Sequence, residues 1–293
     1  MRLLMFRDDG AARLGILRED GVIDVASAGG ADAPKDVLAV IDGGQEALHY
    51  LRTLVASTKG DAVRALDGLE IVAPLLPREN VMAVGRNYAK HAEESARMWN
   101  LDAVQPPTVF TKALTSVTGP FAPIPIDDTL TSMADWEAEL AVVLGREGKN
   151  IPRESALDYV FGYTVINDVS ARDLQQSWGG QNFKGKSLDG FGPLGPWVVT
   201  ADEIPDPGKL RVRCRVNGVT KQDASTEEMI YPVDDIIARL SLGMTLLPGN
   251  VIATGTPDGV GRARKPPEFL HPGDVLETEV VEIGVMRNAI VAA

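Results

Sequence analysis

Residues 136–145 have the sequence Trp-Glu-Ala-Glu-Leu-Ala-Val-Val-Leu-Gly, a polar entry followed by an apolar run that ends at a glycine. A run of this length predicts a β-strand. Because side chains alternate between the two faces of a strand, we expect Glu137 and Glu139 to project from one face and residues 138, 140 and 142 from the other. Like charges on one face repel each other, so a solvated edge strand and a shared ligand both remain open as explanations.

A third acid, Asp168, follows the mostly apolar residues 160–167 and precedes a predicted helix. A carboxylate at the end of a strand lies where catalytic groups often cluster, and three acids could share a divalent cation. With one cysteine and three histidines the chain lacks a soft ligand set for zinc. Three carboxylates suit Mg²⁺ or Mn²⁺ and leave positions for a chelating 2-oxo acid or 1,3-dicarbonyl acid.

Short apolar runs alternate with glycine- and proline-rich turns from Val81 onward, which predicts a domain made mostly of strands. Residues 211–216 alternate polar and apolar side chains and precede Asn217-Gly218, a pair that favours a hairpin turn because both residues tolerate a positive φ. Helix candidates cover residues 91–98, 170–175 and 233–242, the second with Ser170 as a possible N-cap. Strands without a regular β-helix-β rhythm exclude a doubly wound sheet, so we expect an α+β fold that is mainly β.

The first 75 residues predict a smaller unit. Strands are expected at residues 2–6, 14–17 and 21–25, followed by a helix with one apolar face. That face is formed, after Gln45, by Leu48, Leu51, Leu54 and Val55. The two prolines in residues 72–77 favour extended backbone, so we place a boundary there, between a small α+β domain at 1–75 and a larger domain at 76–293.

The chain has 293 residues, of which 44% are hydrophobic, and 29 Lys and Arg against 41 Asp and Glu give a formal charge of −12. This composition is typical of a globular protein, and its charge repels nucleic acid and anionic lipid. No apolar run approaches the roughly 18 residues of a membrane-spanning helix. Because Cys214 is the single cysteine and the apolar run near the start is too short for a signal peptide, we expect a cytoplasmic protein.

A histidine and a nearby acid form a second candidate group. Glu94 lies three residues after His91, on the same face of a predicted helix, where it can orient the imidazole as a general base. An exposed helix pair is the alternative explanation. The turn at residues 254–261 carries hydroxyls and glycine amides that can hold a carboxylate. Lys112 and Lys186 supply the cations that an acidic protein needs to bind an anionic substrate.

Six motifs in order along the chain resemble the fumarylacetoacetate hydrolase family. They are Gly85-Arg86-Asn87-Tyr88 with His91, Trp136-Glu137-Ala138-Glu139-Leu140, Gly162-Tyr163 through Asn167-Asp168 to Asp173, Gly185-Lys186-Ser187, Pro193-Leu194-Gly195-Pro196, and Thr254 to Gly261 with Pro272-Gly273-Asp274. The resemblance implies a mixed β-sandwich roll with a smaller N-terminal domain, assembled as a homodimer. It also implies Mg²⁺ or a similar ion and an oxo-acid substrate.

The resemblance further implies roles for individual residues. Glu137, Glu139 and Asp168 would be the metal ligands, His91 with Glu94 would activate water, and Lys186 would stabilise developing oxyanion charge. Substrate-binding roles fall on Arg86, Tyr88, Lys112, Gln175 and Thr256, among which Arg86 and Thr256 would bind the substrate carboxylate or the metal-bound oxygens.

These observations predict a divalent-metal-dependent hydrolase that cleaves a C–C bond in an acylpyruvate or fumarylpyruvate-like acid. The alternatives are an isomerase or decarboxylase of 2-hydroxymuconate-type diacids or oxaloacetate, and a metal-dependent binding protein without turnover. Residues 93–105 have little apolar periodicity, so we also hypothesise that they form a lid ordered by substrate.

Overall fold

The computed structural model describes residues 1–99 and 107–293, with no side chain described at 61 or 95–99. Strands dominate this part of the chain and confirm the α+β, mainly β prediction. In chain order the strands are β1 (Arg2–Asp8), β2 (Ala11–Arg18), β3 (Gly21–Asp24), β4 (Val63–Arg64), β5 (Glu70–Val72), β6 (Val81–Gly85), β7 (Thr108–Lys112), β8 (Val117–Thr118), β9 (Ile124–Ile126), β10 (Ala134–Asp135), β11 (Ala138–Leu144), β12 (Val160–Asn167), β13 (Ser170–Ala171), β14 (Gly192–Thr200), β15 (Arg211–Val216), β16 (Val219–Ser225), β17 (Val251–Ala253), β18 (Val275–Val280) and β19 (Gly284–Ala292). The helices are α1 (Val25–Gly29), α2 (Val37–Ser57), α3 (Ala89–Trp99), α4 (Arg172–Ser177), α5 (Asn182–Lys186) and α6 (Val233–Leu240).

A large sheet runs through the molecule in the strand order β4-β3-β2-β1-β14-β12-β11-β17-β6-β7, with β5 paired to β1 and β8 to β14. A second sheet has the order β16-β15-β18-β19-β9, and β10 pairs with β13. β11 therefore lies in the interior of the large sheet, between β12 and β17, and all seven of its residues are buried. The interpretation of this segment as a solvated edge strand is wrong.

Apolar side chains cover both faces of the large sheet. From β11, Leu140 and Val142 pack into a core that also contains Cys214 of β15 and Leu276 of β18, so this core lies between the two sheets. Ala141 and the other residues of the opposite face pack into a second core with β1 and α2. The sandwich of two sheets with a helix on the outer face follows from this two-sided burial.

The first 72 residues extend the large sheet, since β1 pairs with β14 in antiparallel register. The predicted helix is α2, where Leu48, Leu51 and Leu54 are buried and Val55 is half-buried. Residues 1–75 and the rest of the chain share the large sheet through the pairing of β1 with β14, and the domain boundary at 75 stays a prediction. Among the described residues, no helix is long and apolar enough to cross a membrane.

Local predictions agree closely with the structure, with one exception. The hairpin forms between β15 and β16, and Asn217 and Gly218 adopt φ values of 51° and 77°. Ser170 is not an N-cap: it lies in β13, and its hydroxyl donates to the Asp168 carbonyl oxygen at 2.8 Å, while Ala171 precedes α4. Of the proposed lid at residues 93–105, residues 93–99 lie in α3 and residues 100–105 lie outside the described residues, so the lid stays a prediction.

Candidate active site

The pairing of β11 with β12 brings two of the predicted acids together. Ala138 is the partner of Asn167, and the antiparallel ladder continues one residue further because the Asp168 backbone N–H donates to the Glu137 carbonyl oxygen at 2.8 Å. Opposed residues in such a ladder have neighbouring side chains. Glu137 and Asp168, 31 positions apart in sequence, therefore face each other.

The three acids converge. Glu137, Glu139 and Asp168 are each at most 5% exposed, and one carboxylate oxygen from each lies within 4.8 Å of the others. Gly255 fixes the Glu139 carboxylate, because its N–H donates to Oε2 at 2.7 Å. A side chain at this glycine would place Cβ 2.6 Å from Cβ of Asn87, so the approach requires glycine.

Three buried cations surround this carboxylate cluster, defined as Glu137, Glu139 and Asp168. The Lys186 ammonium donates to Glu137 Oε2 and Asp168 Oδ2, both at 2.6 Å. Lys112 Nζ donates to Asp168 Oδ1 at 2.7 Å, and Arg172 Nη1 lies 2.7 Å from Glu137 Oε1. Buried ion pairs of this kind need near-complete pairing, because each uncompensated charge costs several kcal/mol, on the order of 3–5.

Pairing is unequal among the acids. Burial alone would raise the pKa of Glu137, but Lys186, Arg172 and His91 outweigh it and hold that pKa at about 2. For Glu139, burial raises the pKa well above its usual range, and the charges of Asp168 and Glu137 raise it further. Glu139 is thus the acid whose negative charge is least compensated by the described residues.

These residues fit a divalent metal ion. The donor set is three carboxylates, the hard oxygen ligands that Mg²⁺ and Mn²⁺ prefer, and the poorly compensated charge of Glu139 is the electrostatic need that a cation meets. Lys112, Lys186 and Arg172 lie against four buried acids, the three of the cluster and Asp135, so one negative charge is unbalanced and an added dication leaves the site positive and suited to an anionic substrate.

A cavity of about 540 Å³ opens beside the cluster. Of the residues predicted from sequence, seven line it: Arg86, His91, Glu137, Glu139, Gln175, Lys186 and Thr256. His91 is 6% exposed, so the alternative of an exposed helix pair is wrong for it. Its Nδ1 lies 3.6 Å from Glu94 Oε2, a contact that is longer than a hydrogen bond.

Three residues predicted to bind substrate lie outside the cavity lining or have their polar group already engaged. Lys112 is fully buried on Asp168 and does not line the cavity, and its pKa is lowered, chiefly by burial. Tyr88, 1% exposed, also lies outside the lining, with a hydroxyl that has no hydrogen-bond partner among the described residues. The Thr256 hydroxyl donates to the Ala138 carbonyl and accepts from Gln222, which leaves its proton unavailable to a substrate carboxylate.

Sequence reasoning assigned no role to three residues at or beside the cavity, Asp135, Arg172 and Arg262. Asp135 is fully buried and accepts from Arg172 Nε at 2.8 Å, and Arg262 lines the cavity wall. The alternation that placed Glu137 and Glu139 on one face extends back to Asp135, so the period of two carried that signal. Arg262 had no comparable signal, because its position depends on a contact across 127 residues.

A buried carboxylate cluster, two members of which line a cavity together with His91, is typical of a small-molecule enzyme, and its three acids could hold a hard metal ion. The family model described as fumarylacetoacetate (FAA) hydrolase C-terminal matches residues 80–291, and the chain belongs to this family. The mitochondrial oxaloacetate tautomerase of Xenopus laevis is 40% identical over 296 residues, covering 99% of this chain and 90% of the relative.

Solved structures agree. The fumarylacetoacetate hydrolase from psychrophilic Exiguobacterium antarcticum has a TM-score of 0.86 and 41% identity, with both chains covered completely. A maleylpyruvate hydrolase from Sphingobium sp. SYK-6, in complex with manganese(II) ion and pyruvate, has a TM-score of 0.80 and 28% identity, again with full coverage of both chains. The fold class and the family resemblance expected from sequence are confirmed.

Proposed function

We propose that the protein is a divalent-metal-dependent tautomerase that moves a proton at the carbon next to the carbonyl of a small 2-oxo acid. The observation that carries this proposal is that His91 lines the same cavity as Glu137 and Glu139. A proton-transfer group beside a cluster of cation-binding carboxylates is the arrangement that enolisation requires. The 40% identity to an oxaloacetate tautomerase over nearly the whole chain supports this choice over the hydrolase that we expected first.

The cofactor we propose is Mg²⁺, or Mn²⁺, held by Glu137, Glu139 and Asp168. When bound, the ion supplies a Lewis acid that polarises the substrate carbonyl. The manganese(II) ion in the maleylpyruvate hydrolase complex supports a hard dication of this kind.

The chain's own residues account for the proton transfer. Glu94 Oε2 lies 3.6 Å from His91 Nδ1, near enough for its charge to orient the imidazole, and Nε2 takes the proton from the substrate carbon and returns it to the oxygen. Lys186, with its ammonium fixed between two carboxylates, offsets the negative charge that develops on the substrate oxygens. Arg86, directly after β6, has a positive φ of 55° that turns its backbone at the cavity wall, and its guanidinium binds the substrate carboxylate.

C–C hydrolysis is the second candidate. The same His91–Glu94 pair can deprotonate water, and the relative in complex with pyruvate is named a hydrolase. An assay with Mg²⁺ or Mn²⁺ against oxaloacetate, a panel of acylpyruvates and muconate diacids separates the two. Tautomerisation changes the enol absorbance and leaves one product, whereas hydrolysis releases two acids. Metal-dependent binding of these acids with no turnover of any of them would contradict both reactions and favour a binding protein.

We also propose that the protein is a cytoplasmic homodimer. The family resemblance supports the dimer, and the single cysteine supports a reducing compartment. Light scattering of the purified chain measures the first, and a monomer mass at micromolar concentration would contradict it. Fractionation of the source cells measures the second, and recovery of the protein outside the cytoplasmic fraction would contradict it.

A further inference from the structure

Two guanidinium groups lie together at one wall of the cavity. Arg172 is the first residue of α4, and Arg262 lies in the short 3₁₀ turn Gly261–Ala263; both line the cavity. They come from segments 90 positions apart in sequence. Burial lowers the pKa of Arg262, and the charge of nearby Arg172 lowers it further.

Asp135 holds the two arginines in place. Its Oδ2 accepts from Arg172 Nε at 2.8 Å and from the Arg262 backbone N–H at 3.0 Å, and its Oδ1 accepts from Gly261 N–H at 2.6 Å. Arg172 is therefore anchored through its side chain and Arg262 through its backbone. This arrangement directs the Arg262 side chain to the cavity while its main chain stays fixed.

One buried donor at this wall has no acceptor among the described residues. Arg172 Nη2 is buried and lies 2.8 Å from Asp135 Oδ2 without hydrogen-bond geometry, so it has no hydrogen-bond acceptor among the described residues. With its amide oriented oxygen inward, Gln176 accepts from Arg262 Nη2 at 2.6 Å. A substrate carboxylate at this wall would accept from Arg172 Nη2 and make a charge-assisted contact with Arg262, which lines the same wall.

We propose that Arg262, beside Arg172, binds the second carboxylate of a dicarboxylic 2-oxo acid and makes the enzyme selective for diacids over monoacids. This inference rests on the proposed function, since the first carboxylate and the carbonyl must lie at the carboxylate cluster. Arg172 connects the two ends of the substrate site, because its Nη1 lies 2.7 Å from Glu137 Oε1. The wall therefore begins next to the cluster, which fits a short diacid.

The test is calorimetric binding to the Mg²⁺-loaded full chain with three probes. Oxalate reports the metal end alone, while 2-oxoglutarate and 2-oxopentanoate have the same chain length and differ in the terminal carboxylate. We expect wild type to bind 2-oxoglutarate at least about tenfold more tightly than 2-oxopentanoate, as a charge-assisted contact allows. Arg262→Gln is expected to abolish this preference and to leave oxalate and 2-oxopentanoate affinities unchanged.

Arg264→Gln is the matched control. It removes the same charge two residues away from Arg262, and Arg264 is paired with Glu268 at 2.9 Å. The inference is wrong if wild type shows no preference, if Arg262→Gln retains it, or if Arg264→Gln reduces it equally. Oxalate binding in wild type and Arg262→Gln verifies that both proteins keep an intact metal end. If none of the three probes binds wild type, the proposed function fails, and the inference fails with it; if oxalate binds and the preference is absent, the inference alone fails.

Discussion

The ammonium nitrogen of Lys186 lies 2.6 Å from Oδ2 of Asp168, and both side chains are almost completely buried. The same nitrogen lies 2.6 Å from Glu137 Oε2, so one internal cation serves two acids. This contact explains how three carboxylates can be buried within 4.8 Å of one another in a folded chain. A buried ammonium between carboxylates keeps its charge. Burial lowers the pKa of Lys186, but the charges of Asp168 and Glu137 raise it by more, so the pKa lies above its usual value.

Replacement of this internal cation should destabilise the protein. Lys186→Met leaves Glu137 and Asp168 without their shared donor, and we expect a loss of about 3–5 kcal/mol in the free energy of unfolding without metal. Urea titration with chelator measures it. Lys184→Met is the control, since that ammonium lies over the half-exposed Trp178 ring at 5.6 Å and contacts no acid of the cluster. Equal stability of the two variants would contradict the proposed role of Lys186.

Glu139 should destabilise the metal-free protein at high pH. Its pKa in the folded chain is raised above the unfolded value, so its contribution to stability is present at low pH and is lost as the pH rises through the folded pKa. Glu139→Gln keeps the shape and stays neutral, so its metal-free melting temperature should exceed that of wild type at pH 8. The difference should narrow toward pH 5. A variant that melts below wild type at pH 8 would show that the charge is compensated.

Metal binding should depend on the carboxylate of Glu139. We expect Mg²⁺ to raise the melting temperature of wild type and to bind more weakly as the pH falls, because protons compete for Glu139. Glu139→Gln should lower Mg²⁺ affinity by at least about tenfold in calorimetry. Exposed Glu147→Gln is the matched control and should bind like wild type. Equal affinities for all three proteins would place the ion elsewhere.

His91 and Glu94 should affect turnover without affecting the affinity for the metal ion. His91→Gln is expected to lower kcat by about 10²–10⁴, the contribution of a positioned general base, and Glu94→Gln to lower it less. Mg²⁺ affinity should stay unchanged in both, since neither belongs to the carboxylate cluster. Glu93→Gln, one position from Glu94 and exposed, provides the control. Full activity of His91→Gln would remove His91 from the mechanism.

Asp135 should act as a positioning residue for both arginines. Asp135→Asn keeps Arg172 and Arg262 but replaces an anion that accepts from Arg172 Nε, Gly261 N–H and Arg262 N–H. We expect a loss of about 3–5 kcal/mol in stability and a reduced preference for 2-oxoglutarate over 2-oxopentanoate. Oxalate affinity provides the internal reference. A preference equal to that of wild type would show that the arginines are held by other contacts.

Local patterns were enough to predict most of the elements. The period of two around Glu137 predicted a strand, and the structure places it at Ala138–Leu144. The Asn217-Gly218 pair predicted a hairpin, and the spacing of Leu48, Leu51 and Leu54 predicted the buried face of α2. Each of these signals depends on neighbours within one element, for which the backbone period alone decides which side chains share a face.

Sequence patterns were sufficient for the strand-rich class, the hairpin and the acids that could bind a hard cation. The folded chain was needed to show that Asp168 lies opposite Glu137, that Lys112 pairs with Asp168 in the interior, and that Asp135 contacts both Arg172 and Arg262. The physical reason is that the energy of a buried charge depends on every group within a few ångströms. Those groups come from strands and turns far apart in the chain, and their separation is set by sheet register, which no local pattern contains.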